Sequence, residues 1–343
     1  MNRRDTVRAL LALATVAGPF ARNAQGQQRE PVRRIGYLIL DAAPVPRLTP
    51  EQWRQRPLSM ALRTLGWDEG RNLIIERAHA DLKIDMLPQL AAELVRKRVE
   101  VIVTSGPEAT VVAARATKTI PIVFFNVVWP QEQGLIESFA RPGRNVTGVT
   151  FYGGVEVSTK RMELLREVAP SAKRLSWLWP PDYQETVAGA RFDMTPAFQA
   201  AAKALGFELR LHAIRRSEDI DTAFAEILAW RAQAMMASSE YVHRALERVV
   251  GFALSRRLPS AFPGPEFVEA GGLLSYGAGR DELRSLFFRS AEYVDRILRG
   301  ALPGALPVEQ PKRYELTINL PTAKALALSI PQSVLLRADR VIR

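Results

Sequence analysis

The chain has no cysteine, only three histidines, and no apolar run long enough to cross a bilayer. Without cysteine there are no disulfides, thiolate nucleophiles or zinc–thiolate centres. The lipid-anchored form of secreted protein, which needs a Cys at its cleavage site, is excluded as well. His79, His212 and His243 are far apart, and none stands at a metal-ligand spacing from another. No Gly-x-Gly-x-x-Gly follows Arg34-Ile35-Gly36-Tyr37. Gly277-Ala278-Gly279 lacks the third Gly and lies in the wrong half of the chain for a dinucleotide fingerprint. A P-loop and a Gly-x-Ser-x-Gly elbow are also missing. An enzyme on a Rossmann-like scaffold is therefore the weaker reading, and the expectation is a protein without catalytic residues, cofactor or metal.

What is present begins at the N-terminus. Arg3, Arg4 and Arg8 precede the apolar run Ala9 to Phe20, whose 12 residues fall short of the roughly 20 that a membrane span needs. Ala24-Gln25-Gly26 follows, with small residues at the positions a signal peptidase reads. Residues 1–26 are read as a signal peptide cleaved near Gly26. The route is Sec or twin-arginine, because Arg3-Arg4 suits the latter while Thr6 replaces its usual Phe. The expected location is the periplasm. The formal charge of +11 becomes +8 without these residues, which carry four Arg and one Asp. Basic residues stand singly or in pairs such as Arg215-Arg216 and Arg256-Arg257, without the clustered stripe that nucleic acid requires, so no nucleic-acid partner is expected.

Periodicity alternates strand with helix along the rest of the chain, which implies parallel sheets covered on both faces. In the first half the predicted strands are Arg34–Leu40, Asn72–Ala78, Val99–Thr104 and Pro121–Phe125, with helices over Glu51–Leu65, Asp85–Arg98 and Glu108–Thr117. The second half repeats the order. Arg34, Ile35, Leu65, Gly66 and Trp67 recur 140 positions later as Arg174, Leu175, Leu205, Gly206 and Phe207. Ser105 recurs as Ser238, and Ile120-Pro121 as Leu258-Pro259. The expected fold is α/β, with two doubly wound parallel-sheet lobes joined by a multi-strand hinge. Residues 33–150 plus about 278–310 would form the N-terminal lobe and 151–277 the C-terminal lobe. The tail, 311–343, crosses the hinge, and its lobe is left open.

Four segments carry a resemblance. They are Leu65-Gly66-Trp67-Asp68-Glu69-Gly70-Arg71-Asn72, Arg141-Pro142-Gly143-Arg144-Asn145-Val146-Thr147-Gly148, Gly271-Gly272-Leu273-Leu274-Ser275-Tyr276-Gly277, and Tyr293-Val294-Asp295-Arg296-Ile297-Leu298-Arg299-Gly300. Together they resemble the ABC transporter substrate-binding proteins of the periplasmic-binding-protein type I fold, the group that includes tryptophan and tyrosine transporter components. The resemblance implies a small-molecule ligand, an amino acid or other carboxylate, held between closing lobes and handed to an ABC permease and its ATPase by a monomer. An exported sensor that presents its ligand to a membrane receptor stays as the alternative. Two places depart from the family pattern: Trp129-Pro130 stands where Asp-Pro is common, and the stretch 41–50 is unlike the usual short polar loop.

In open α/β sheets ligands sit beyond the carboxyl ends of the strands. The candidate ligand residues are accordingly Asp41, Ser105, Gly106, Asn126, Trp129, Trp179, Tyr183, Ser238, Glu240 and Phe262. Ser105-Gly106-Pro107 opens a helix whose N-terminal N–H groups suit an anion. Ser105 is equally a ligand contact or a simple helix cap. Asp41, Asn126 and Glu240 could fix a polar group, while Trp129, Trp179, Tyr183 and Phe262 could wall a ring.

Overall fold

The inner strands of this protein are short and buried on both faces, as a sheet covered by helices on each side requires. A computed structural model describes residues 31–40, 48–150, 154–179, 186–191 and 193–343, with the side chain of residue 240 outside the description. The chain opens with β1 (Arg33–Ile39), α1 (Pro50–Arg54), α2 (Pro57–Thr64), β2 (Leu73–His79) and α3 (Leu87–Arg96). It continues through β3 (Val101–Ser105), α4 (Pro107–Ala116), β4 (Ile122–Phe125) and β5 (Val146–Val149). These five strands are all parallel, in the order β2-β1-β3-β4-β5.

The second half runs α5 (Gly154–Val168), β6 (Arg174–Trp179), α6 (Thr195–Ala204), β7 (Glu208–Ala213), α7 (Asp219–Ala229) and β8 (Ala234–Ala237). Next come α8 (Glu240–Arg244), α9 (Leu246–Ser255), β9 (Ser260–Phe262), α10 (Pro265–Glu269), β10 (Leu274–Ala278) and α11 (Arg280–Leu298). The chain closes with β11 (Tyr314–Asn319), α12 (Leu320–Ala325), α13 (Gln332–Leu335) and β12 (Arg340–Ile342). The second sheet has the order β12-β11-β10-β9-β8-β6-β7 and is parallel except where β11 runs antiparallel to β10. The tail strands therefore extend the second sheet, and α11 returns to the first lobe, where Leu286, Val294 and Ile297 bury against β3, β4 and α2.

Most predicted elements stand within two residues of their expected ends, and the departures have local causes. The single helix expected over Glu51–Leu65 is broken in two by Pro57. A residue before proline is pushed out of the helical region, so Arg56 is extended, at φ −74° and ψ 149°, and Pro57 restarts the helix at its first position. In the second half α8 and α9 are likewise separated by a single break at Ala245. Strand β2 is shifted one residue onward, which carries His79 into the sheet.

Each sheet buries apolar residues on both faces. On the first, Ile35, Ile75, Val101, Val103, Val123 and Phe125 pack beneath α2 and α11, while Leu38, Ile102, Ile122 and Phe124 face α3 and α4. A buried Leu or Ile of this kind contributes on the order of 1.5–3 kcal/mol. The chain passes between the sheets three times: after β5, between β10 and α11, and on the way into β11. The first and third passages touch, because Thr150 N donates to Glu309 O at 2.9 Å and Glu309 N donates to Gly148 O at 3.1 Å. Gly148 has φ +155°, and a Cβ there would lie 2.1 Å from Phe124 O, so this passage admits only glycine.

Candidate functional site

Register across the first sheet sets one side of the site. His79 is level with Ile39, Ile39 with Ser105, and Ser105 with Phe125, so four strands end in one row. Side chains alternate along a strand, so the face that buries Leu73 and Ile75 carries Arg77 and His79 at its carboxyl end, and the face that buries Ile35 carries Tyr37 and Ile39. The row opens into a cavity of about 530 Å³ between the two lobes, within the roughly 300–1,000 Å³ that small-molecule sites occupy.

The first lobe supplies Tyr37, Trp53, Arg56, Arg77, His79, Ser105, Phe125, Asn126 and Phe287 to the lining. The second supplies Arg161, Trp179, Ser238, Ser239, His243, Glu266, Gly277 and Tyr314. Aromatic rings dominate the walls. Phe125 packs between Tyr37 and Phe287 at centroid separations of 6.2 and 5.0 Å. Trp53 lies 5.3 Å from the His79 ring and carries the Arg77 guanidinium 4.3 Å above its own.

Cations are set among these rings. Arg77 forks onto the Glu69 carboxylate at 2.5 and 2.7 Å. Arg161 is only 3% exposed, and its Nε donates to Tyr276 O at 2.7 Å. Burial raises the Tyr37 phenol far above its ordinary range against the pull of Arg56 and Arg77, so it stays protonated. Burial, reinforced by Arg77 and Arg56, lowers His79 against the opposing Asp81, so it is neutral at pH 7. Glu266 is a carboxylate of the lining and stands 3.6 Å from His243 Nδ1.

Five of the ten sequence-derived candidates line this cavity: Ser105, Asn126, Trp129, Trp179 and Ser238. Ser105 is not a helix cap, since Gly106 is the N-cap of α4 and receives no side-chain bond. Gly106, with φ +82°, turns the chain behind the cavity without joining its lining. The capping serine is Ser239, which accepts from Val242 N at 2.9 Å. Ser238 accepts from Trp177 Nε1 at 2.8 Å.

Phe262 is a correction. It is fully buried and stacks on Phe267 at 4.8 Å and 5° between planes, within the second-lobe core and away from the cavity. Asp41 and Tyr183 lie outside the described residues, as does the side chain of Glu240. Sequence reasoning missed Tyr37, Arg56, Arg77, His79 and Arg161. The available signal was polar residues on the apolar face at strand ends (Leu73, Ile75, then Arg77 and His79) and the Pro57 break that turns Arg56 outward.

Trp129 sits where the two lobes interpenetrate. Its neighbours Val127 and Leu135 join the first-lobe core, whereas Val128 and Trp129 are buried with Trp177, Trp179 and Phe198 of the second. The Trp129 ring lies 5.8 Å from Trp179 and 5.9 Å from Phe198. Its φ is +48°, and Asn126 is at +60°. That region suits Asn but costs a bulky residue about 1–3 kcal/mol. In return, Val187 of the second half packs on the first-lobe core, its N donating to Gln133 O at 2.8 Å, and Arg115 Nη2 donates to Thr186 O at 2.6 Å.

Residues 54–342 match the family described as ABC transporter substrate binding protein. A tyrosine-binding protein of Clostridioides difficile is 24% identical over 266 residues, covering 78% of this chain and 74% of that protein. A conserved domain protein from Vibrio cholerae O1 biovar El Tor superposes with a TM-score of 0.74 at 27% identity, covering 90% of this chain and 99% of that one. An ABC domain from Streptococcus pneumonia in complex with L-Trp superposes with a TM-score of 0.73 at 22% identity, again over 90% and 99%.

Proposed function

The chain belongs to the ABC transporter substrate-binding proteins, and on that premise we propose that it is the exported solute-binding component of an importer. It closes two lobes on a small carboxylate with an aromatic body and passes it, chemically unchanged, to a permease and its ATPase. The observation that carries this reading is the interlobe cavity itself, about 530 Å³ with aromatic walls and arginines contributed from both sides. Rings such as Phe125, Trp179 and Tyr314 offer flat apolar surface to a ligand ring, and Arg56 and Arg161 offer charge to a carboxylate. The relative named for tyrosine and the neighbour that holds L-Trp support the aromatic amino acids as first candidates.

The working cycle is a population shift. Ligand bound to one lobe favours the arrangement in which the second also touches it, and the three passages between the sheets confine that motion to bending. Residues 1–26 serve as the export signal, the mature protein is periplasmic, and it acts as a monomer. The boundaries proposed for the lobes are 33–150 with about 278–310, and 151–277 with the tail 311–343.

A thermal-shift screen with L-Trp, L-Tyr, L-Phe and their deaminated acids tests the ligand class, followed by small-angle scattering with the best binder. A ligand at a hundred times its Kd adds about 2.7 kcal/mol of stability and a clear rise in melting temperature. The radius of gyration is expected to shrink on binding. Tight binding with an unchanged radius would overturn the closure mechanism. Cell fractionation that finds residues 1–26 intact on cytoplasmic protein would overturn export.

A further inference from the structure

Both ring nitrogens of His79 are buried, and neither has a hydrogen-bond partner among the described residues. Buried polar atoms are almost always paired, and His79 itself lines the cavity, so a turn of its ring toward the cavity would give the orphaned nitrogens a partner in the solute. We propose that His79, flanked by Arg56 and Arg77, forms a carboxylate subsite on the first lobe, so that the solute docks acid-first there and turns its ring toward Trp129 and Trp179. This deepens, and rests on, the proposal that the cavity binds an aromatic carboxylate.

Four features of the wall fit an anion. A neutral imidazole turned toward the cavity has one N–H to donate, without the cost of a buried charge. Arg56 is delivered there because Pro57 ends one helix and starts the next, which leaves Arg56 extended at the cavity edge. The Arg77 fork is already committed to Glu69, so Arg77 supplies field rather than a direct clamp. Ser105 ends its strand level with Ile39, the neighbour of His79, and adds a hydroxyl to the same wall. The far wall is different: Trp129 and Trp179 are buried rings of one aromatic cluster, suited to the apolar end of the solute.

The test uses the mature protein with indole-3-acetate and 4-hydroxyphenylacetate, each beside its uncharged amide, and with L-Trp and L-Tyr, all by titration calorimetry. His79→Phe keeps a ring against Trp53 and deletes both nitrogens, and Arg56→Gln removes the charge. Each variant is expected to weaken the tighter-binding acid by about tenfold or more while changing its amide less than about threefold. The ligand-free His79→Phe protein should melt at the wild-type temperature or above it, because the unpaired nitrogens are gone; a residue kept only for structure would lower it. If the acids bind wild type and both variants within twofold, the subsite is overturned while the ligand-class reading stands. If wild type binds none of the four carboxylates, that reading fails and the subsite falls with it.

Discussion

Truncating Trp129 separates two costs that the structure places on one residue. The side chain is 6% exposed and packs against Trp179 and Phe198, so Trp129→Ala leaves a void in the second-lobe core at about 3–5 kcal/mol. The two ring contacts are part of that figure. The backbone contributes separately. At φ +48° an alanine keeps the Cβ penalty of the left-handed region, whereas glycine is released from it by about 1 kcal/mol. Trp129→Gly is therefore expected to be more stable than Trp129→Ala by about 1 kcal/mol, the reverse of the usual order in which glycine is worse. The assay is unfolding followed by far-UV circular dichroism, in urea and on heating, since removing a Trp confounds fluorescence. With each 1 kcal/mol worth roughly 2 °C in a chain this long, the Ala variant should melt roughly 6–10 °C below wild type. Because Trp129 leaves a first-lobe loop for the second-lobe core, its loss should also broaden or split the transition as the lobes uncouple. An Ala variant within 1 kcal/mol of wild type, or a Gly variant less stable than it, would refute the reasoning.

Ser238→Ala takes the acceptor from Trp177 Nε1 and should cost about 1–3 kcal/mol by urea titration, with Ser238→Thr recovering most of it; equal losses in both would point to packing instead. Gly277→Ala would put a Cβ 1.8 Å from Pro263 O and should cost at least about 1–3 kcal/mol, read as a lower melting temperature; a neutral result would contradict the close approach at the cavity wall. The pH dependence follows from two histidines. Burial lowers His79, reinforced by Arg77 and Arg56 against Asp81, and burial lowers His212 against the opposing pull of Glu226. The unfolded chain takes up these protons near pH 6.5 while the folded protein does not. Stability of the ligand-free protein should therefore fall as pH drops from about 7.5 to about 5.5, and the fall should be shallower in His79→Phe; an identical slope in that variant would rule His79 out as its source.

Strand ends were the part of the site that a linear reading could find. Ser105, Asn126, Trp129, Trp179 and Ser238 all stand at or just past the carboxyl end of a strand, and the structure brings them to one cavity. Phe262 stands at a strand end too, yet its ring falls on the face covered by Phe267. Which face a residue takes depends on the phase of the pleat, and a three-residue strand such as β9 holds too little alternation to reveal it. His79 was discounted because it had no second histidine near it in sequence, whereas its meaning lies in its neighbours across the sheet.

The sequence by itself determined the element order, the 140-residue internal repeat and hence two α/β lobes, because hydrophobic period, proline and glycine act over a few residues and leave a local record. Only the tertiary structure decided which lobe receives the tail, which polar side chains meet across the cleft, and that Trp129 leaves its own lobe to be buried in the other. Those outcomes depend on contacts between residues far apart in the chain, where register and burial, and not local propensity, select the partner.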